Sequence, residues 1–166
     1  MKHNSVLRPL LSQKNISVTI VSADEQGRVM PEDIQREIRE NTRLIICTHS
    51  SNVVGTILPI RKIGKIARDH SVYFLVDAAQ SAGTLPIDFR ELPVDMMAFA
   101  GHKSLLGPQG TGFLYVNGTI DLTPLKDGGT GTQSKNTTQP RDYPEGYEAG
   151  TVNAPGIIGL GASIRF

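Results

Sequence analysis

The chain has 166 residues, enough to bury the core of one domain, and its 39% hydrophobic and 20% charged content is that of a soluble globular protein. Seventeen basic residues against sixteen acidic ones leave a net charge of +1, so there is no electrostatic case for nucleic acid or an anionic membrane as partner. A single cysteine, Cys47, excludes an internal disulfide framework and points to a reducing compartment, with the cytoplasm as the expected address.

The apolar runs are far shorter than a bilayer span, and the first residues lack the charged-then-apolar pattern of a signal peptide. After a polar start, residues 16–21 (ISVTIV) read as a strand, rich in β-branched side chains. Pro31 opens a helix, PEDIQREIRE, with acidic residues in its first turn and Ile34 and Ile38 one turn apart. Residues 43–47 (RLIIC) follow as a strand expected to be buried on both faces. Pro59 begins the next helix, with Ile60, Ile63, Ile66 and Ala67 on one stripe. Further strands are expected at 72–76, 94–99 and 112–116.

Strand and helix alternate and the strands are continuous apolar runs, so the expected fold is an α/β domain with a mostly parallel sheet and helices on both faces. In such a sheet ligands sit beyond the carboxyl ends of the strands. The polar segments THSSN, DAAQ and GHKS all fall at those ends, so the three clusters are expected to be neighbours.

From about residue 118 the chain becomes polar and rich in Gly, Thr and Pro, a loop long enough to suggest function. It ends in PGIIGLGASIRF, an apolar helical pattern without a cap that needs a partner surface for Ile157, Ile158, Leu160 and Ile164. The start, HNSVLRPL, enters mid-pattern. Both ends are therefore expected to be truncated, with residues 1–166 forming the central part of a larger domain.

Two residues stand out chemically. Asp77 ends the apolar run VYFLV, where a carboxylate is costly unless a partner or a cationic ligand opposes its charge. Lys103 lies in AFAGHKSLLGPQGTG, flanked by apolar residues and crowded by glycines. A desolvated lysine has a lowered pKa and forms Schiff bases with carbonyls. Pyridoxal phosphate unites the pair, since it needs a lysine for its aldehyde, an acid for its pyridinium nitrogen and donors around its phosphate.

The segments SNVVGTILPI, FLVDAAQSAGTLPID and DMMAFAGHKSLLGPQGTGFLYV, in this order, resemble the class V aminotransferases, in their cysteine desulfurase branch. These are fold-type I pyridoxal 5'-phosphate enzymes, and the likeness runs from HNSVLRPL to YEAGTVNAPGIIGLGA. The resemblance implies that Lys103 holds the cofactor and moves a proton as general acid and base, that Asp77 pairs with the pyridine nitrogen, and that Gln80 hydrogen-bonds the phenolic oxygen. It places Asn52 at the same edge of the ring, His102 on the phosphate and His3 on the ring face. It also implies that Thr151 reaches the phosphate of the other subunit's cofactor, which makes a homodimer part of the site. Without the resemblance, His102 reads as a turn histidine and Thr151 as part of a surface turn. His49 and His70 have no such match and are expected to be structural or exposed, and no metal is expected.

Two departures stand against the family pattern. Ala100 replaces the usual hydroxyl two residues before the histidine, and Ser104 lies on the wrong side of Lys103 to substitute. The family's phosphate loop, nucleophilic cysteine and substrate-binding arginine have no counterparts here. Cys47 falls inside a strand and Arg165 is next to last. The implied activity is conversion of L-cysteine to L-alanine with sulfur passed to an enzyme thiol and on to a possible acceptor protein, with the 166 residues alone expected to be inactive. A transaminase, a selenocysteine or carbon–sulfur lyase, and a non-catalytic interaction module are the alternatives.

Overall fold

The structure, a computed structural model, describes residues 3–166. Helix α1 (Asn4–Ser12) precedes a long extended stretch, then come α2 (Pro31–Arg36), β1 (Leu44–Thr48), α3 (Ile60–Asp69), β2 (Tyr73–Asp77), β3 (Met96–Ala100), β4 (Gly112–Val116) and α4 (Ala154–Arg165). The four strands form one sheet in the order β1-β2-β3-β4. The first two pairings are parallel, and β4 runs antiparallel to β3. This is the mostly parallel α/β architecture expected from the alternating pattern.

The core forms where α3 lies on β2. Ile60, Ile63, Gly64 and Ala67 are the buried face of α3, and Phe74 and Val76 of β2 are fully buried. Gly64 is required by this packing, because a Cβ there would stand 2.8 Å from Pro93 Cγ and 3.1 Å from Phe74 Cδ1. Helix α2 begins at Pro31 with Glu32 and Asp33 in its first turn and buries Ile34 in the same core. It stops at Arg36 rather than running to residue 40. The amides of Glu37 and Ile38 bond three residues back, to Ile34 and Gln35, which tightens and ends the helix.

Two expectations are corrected. Residues 16–21 form no strand. Ile16 and Ile20 are exposed, and no described strand pairs with them, so β propensity alone does not order them. Strand β1 is not buried on both faces: Leu44 is exposed, Ile45 and Ile46 are half-buried, and only Cys47 is buried. In α4 Gly156 and Leu160 are buried, and Ile157, Ile158 and Ile164, for which a partner surface is expected, are exposed. The start of the chain, which the sequence marked only as polar and entering mid-pattern, is the helix α1 with Pro9 inside it and His3 capping its N-terminus.

The polar loop after β4 holds itself together by hydrogen bonds. Tyr147 Oη donates to the Leu122 carbonyl at 2.6 Å, Gly128 N to Gln139 Oε1 at 3.0 Å, and Gly150 N to the Gly129 carbonyl at 2.8 Å. Among the described residues no helix is long and apolar enough to cross a membrane.

Candidate active site at the strand ends

Register brings three polar segments together. Asp77, the last residue of β2, lies opposite Thr48 on one side and Ala98 on the other. The THSSN, DAAQ and GHKS segments therefore leave the sheet side by side, at the end where parallel sheets bind ligands.

Beyond β1, the chain folds back on itself through a bridge between Ser50 and Ile57. Ser51 Oγ accepts from the amides of Val53 and Val54 at 3.2 and 3.3 Å. Asn52 is exposed at the tip of this loop.

Beyond β2, the amides of Ser81 and Ala82 both donate to the Ala78 carbonyl at 3.0 Å, forming a compact turn that holds Gln80 half-buried. Ala78 is fully buried, which keeps the wall next to Asp77 free of bulk.

Beyond β3, the chain turns tightly through residues 101–107. Gly101 N donates to Thr111 O at 2.9 Å, Leu106 N to Lys103 O at 2.8 Å and Gly107 N to Gly101 O at 2.8 Å. Lys103 is half-buried and His102 exposed on this turn. Gly83 ties it to the neighbouring turn: a Cβ there would stand 2.6 Å from the carbonyl carbon of Ser104. Only glycine permits that approach, and its φ of +82° also favours glycine. The turns bearing Gln80 and Lys103 are thus in backbone contact. Helix α4 braces the far side, with Leu160 against Gly107 and Gly159 close to Pro108.

Among the described residues, the charges in this cluster have no partner of opposite charge. Asp77 Oδ1 accepts from Ala79 N at 3.0 Å. Among the described residues neither Oδ2 nor the Lys103 ammonium has a hydrogen bond, and neither residue joins a salt bridge. The five ion pairs of the described residues all lie elsewhere, on exposed side chains. A half-buried carboxylate and a half-buried amine left open on adjacent strand ends suit a ligand that presents a cationic nitrogen and an aldehyde. In this respect the residues present fit pyridoxal phosphate.

His3 and Thr151 stand apart in the hydrogen-bond pattern. His3 Nδ1 accepts from Ser5 N at 3.2 Å as the cap of α1. Thr151 is exposed and follows Gly150. Among the described residues no hydrogen bond links either one to Asp77, Gln80 or Lys103. Ala100 closes β3 opposite Gly112 and brings no hydroxyl to the site.

One feature escaped the sequence reading, which left His49 as either structural or exposed. It is buried, with Nδ1 2.9 Å from the hydroxyl of the buried Ser81. Burial holds its pKa below the usual histidine value. No periodicity or motif marks this pair, because its members are 32 residues apart.

The family model "Aminotransferase class-V" matches residues 1–166. The chain belongs to the class V aminotransferases. A probable cysteine desulfurase of Methanothermobacter thermautotrophicus is 44% identical, over all of this chain and 43% of its own length. The cysteine desulfurase IscS of Dictyoglomus turgidum is 36% identical, over 99% of this chain and 39% of its own. Among solved structures, SspA in complex with cysteine superposes with a TM-score of 0.85 at 34% identity, covering 99% of this chain and 45% of that one. The apo cysteine desulfurase of Thermococcus onnurineus NA1 gives 0.79 at 36% identity, covering 89% and 38%. The chain therefore spans about two fifths of the length of the curated relatives it matches.

Proposed function

We propose that this class V aminotransferase chain is the cofactor-binding part of a pyridoxal phosphate-dependent cysteine desulfurase. The observation that carries the reading is the pair of open charges, Asp77 and Lys103, at the ends of adjacent parallel strands whose turns meet at Gly83. The neighbouring structure solved with cysteine supports the substrate, as do relatives named for the desulfurase activity.

When bound, the cofactor supplies an electron sink that lets bonds at the substrate α-carbon break. In this reading, the Lys103 amine is the attachment point and afterwards carries a proton to and from the substrate carbon. Asp77 would pair with the pyridine nitrogen, with Ala79 N fixing one carboxylate oxygen and leaving the other without a hydrogen bond among the described residues. Gln80 would donate to the phenolic oxygen, Asn52 would lie at the same edge of the ring, His102 would contact the phosphate and His3 would cover the ring face. Thr151 contributes to the phosphate site of a two-fold partner, so the functional form is a homodimer in a reducing, cytoplasmic setting.

The net reaction converts L-cysteine and a thiol into L-alanine and a persulfide on that thiol, from which an acceptor protein draws sulfur. Cys47, the only cysteine of the sequence, does not provide the thiol, because it is buried within β1 against the core.

The test is titration of the 166-residue chain with pyridoxal phosphate, followed by borohydride reduction and peptide mass analysis. The expected result is an absorption band near the visible edge, one pyridoxyl adduct on Lys103, and loss of both in Lys103→Ala. A flat spectrum at saturating cofactor, or adducts spread over the exposed lysines, overturns the reading.

A further inference from the structure

The parallel ladder between β1 and β2 ends at the Thr48–Asp77 pair. Past it, the segment 77–81 carries both Asp77 and Gln80. On the β1 side Thr48 Oγ1 donates to the Asp77 carbonyl at 3.5 Å. Among the described residues, only His49 bonds to both ends of the segment. His49 N donates to the Asp77 carbonyl at 2.8 Å, and its Nδ1 lies 2.9 Å from Ser81 Oγ. His49 thus grips the first and the last residue of this five-residue segment. It is itself anchored from behind, since its carbonyl accepts from Leu58 N at 2.9 Å.

Both side chains are buried, His49 at 7% and Ser81 at 1% exposure, so neither can exchange its partner for bulk water. Ser81 Oγ also lies 3.3 Å from the Ala78 carbonyl. The single hydroxyl hydrogen serves one acceptor at a time. When it points to Ala78, a proton on Nδ1 donates to Oγ; when it points to His49, Nδ1 accepts. Either arrangement is satisfied by a neutral imidazole.

We propose that His49, acting through Ser81, is a positioning residue that fixes the Asp77–Gln80 segment against the cofactor ring. This rests on the cofactor reading given above. The backbone bond to Asp77 survives any side-chain change, whereas the bond to Ser81 depends on the imidazole. Its loss leaves the Ser81 and Ala82 amides on the Ala78 carbonyl but removes the side-chain tie between the far end of the segment, where Gln80 sits, and the β1 side, without removing any group that touches the ring.

The test uses the cofactor-loaded chain, with far-ultraviolet circular dichroism confirming that each variant is folded. His49→Ala and Ser81→Ala are expected to weaken pyridoxal phosphate binding about tenfold, the equivalent of one buried hydrogen bond. They are also expected to shift the pH at which the bound cofactor's band titrates, since that pH reports the charge and hydrogen bonding around the ring. His49→Asn, whose amide stands near the Nδ1 position, is expected to recover binding to within about threefold of the parent, while His49→Gln is not. The double alanine variant is expected to be no weaker than either single one.

Parent-like affinity and titration in folded Ser81→Ala overturn the proposal, as does equal behaviour of His49→Asn and His49→Gln. Should His49→Ala fail to fold, the Ser81→Ala and His49→Asn measurements still decide it. A parent chain with no band overturns both the cofactor reading and this one, whereas a normal parent band unchanged in the variants overturns only the role of His49.

Discussion

Gly83→Ala probes the contact that brings the two site turns together. Gly83 has φ +82°, and its Cα side faces the backbone of the Lys103 turn. A methyl group there would stand 2.6 Å from the Ser104 carbonyl carbon and 3.1 Å from Leu105 N. Two costs follow. Holding alanine in the left-handed region costs about 1–2 kcal/mol. Pushing a backbone segment aside, which cannot swing away as a side chain can, costs about another 1–3 kcal/mol. The sum, about 2–5 kcal/mol, is a large share of the roughly 5–15 kcal/mol that keeps a domain folded.

Gly55→Ala is the matched control, because its φ is +71° and nothing lies within 4 Å of the new methyl. It carries only the first cost. With a urea m-value of about 2 kcal/mol per molar, the unfolding midpoint should fall by about 1–2.5 M for Gly83→Ala and about 0.5–1 M for Gly55→Ala. Below the transition, Gly83→Ala should also lower the yield of cofactor adduct on Lys103, because the displaced atoms adjoin that residue. Equal midpoints for the two variants would refute the close approach.

Phe74→Ala should cost about 3–5 kcal/mol, read from urea unfolding, because Phe74 is fully buried beneath α3. Stability should also fall in mild acid. Burial lowers the pKa of His49 from its ordinary 6.5, so below that value the unfolded chain takes up a proton that the folded chain resists. The unfolded state then binds more protons, and stability drops as pH falls through the unfolded-state value toward the folded one. Urea midpoints at about pH 7.5 and about pH 5.5 should differ more in the parent than in His49→Asn, and an equal difference would contradict the assignment.

Much of the fold between residues 31 and 116 was legible because its signals are local. Pro31 and the acidic pair behind it mark a helix start by their own chemistry. The stripe Ile60, Ile63, Ala67 lies on one face of any helix formed there. Apolar runs ending in Asp77 and in GHKS identify strands and their ligand-facing ends. The strand expected at 16–21 failed for the complementary reason: a strand needs a neighbour, and propensity does not say whether one is at hand. Helix α1 contains Pro9, a residue that ordinarily argues against a helix interior, so the local chemistry of that stretch does not announce a helix.

The site divides along the same line. The proposal that Asp77, Gln80 and Lys103 carry the chemistry rests on residue type, the apolar pattern around them and family resemblance, all readable along the chain. Their mutual support did not. The sequence by itself determined which elements form and which polar residues end them, because periodicity, caps and turn chemistry act over a few residues. Only the tertiary structure decided that Gly83 abuts Ser104 and that a buried His49 reaches Ser81. Those contacts join segments 21 and 32 positions apart, and close packing between distant segments leaves no periodic trace in either one.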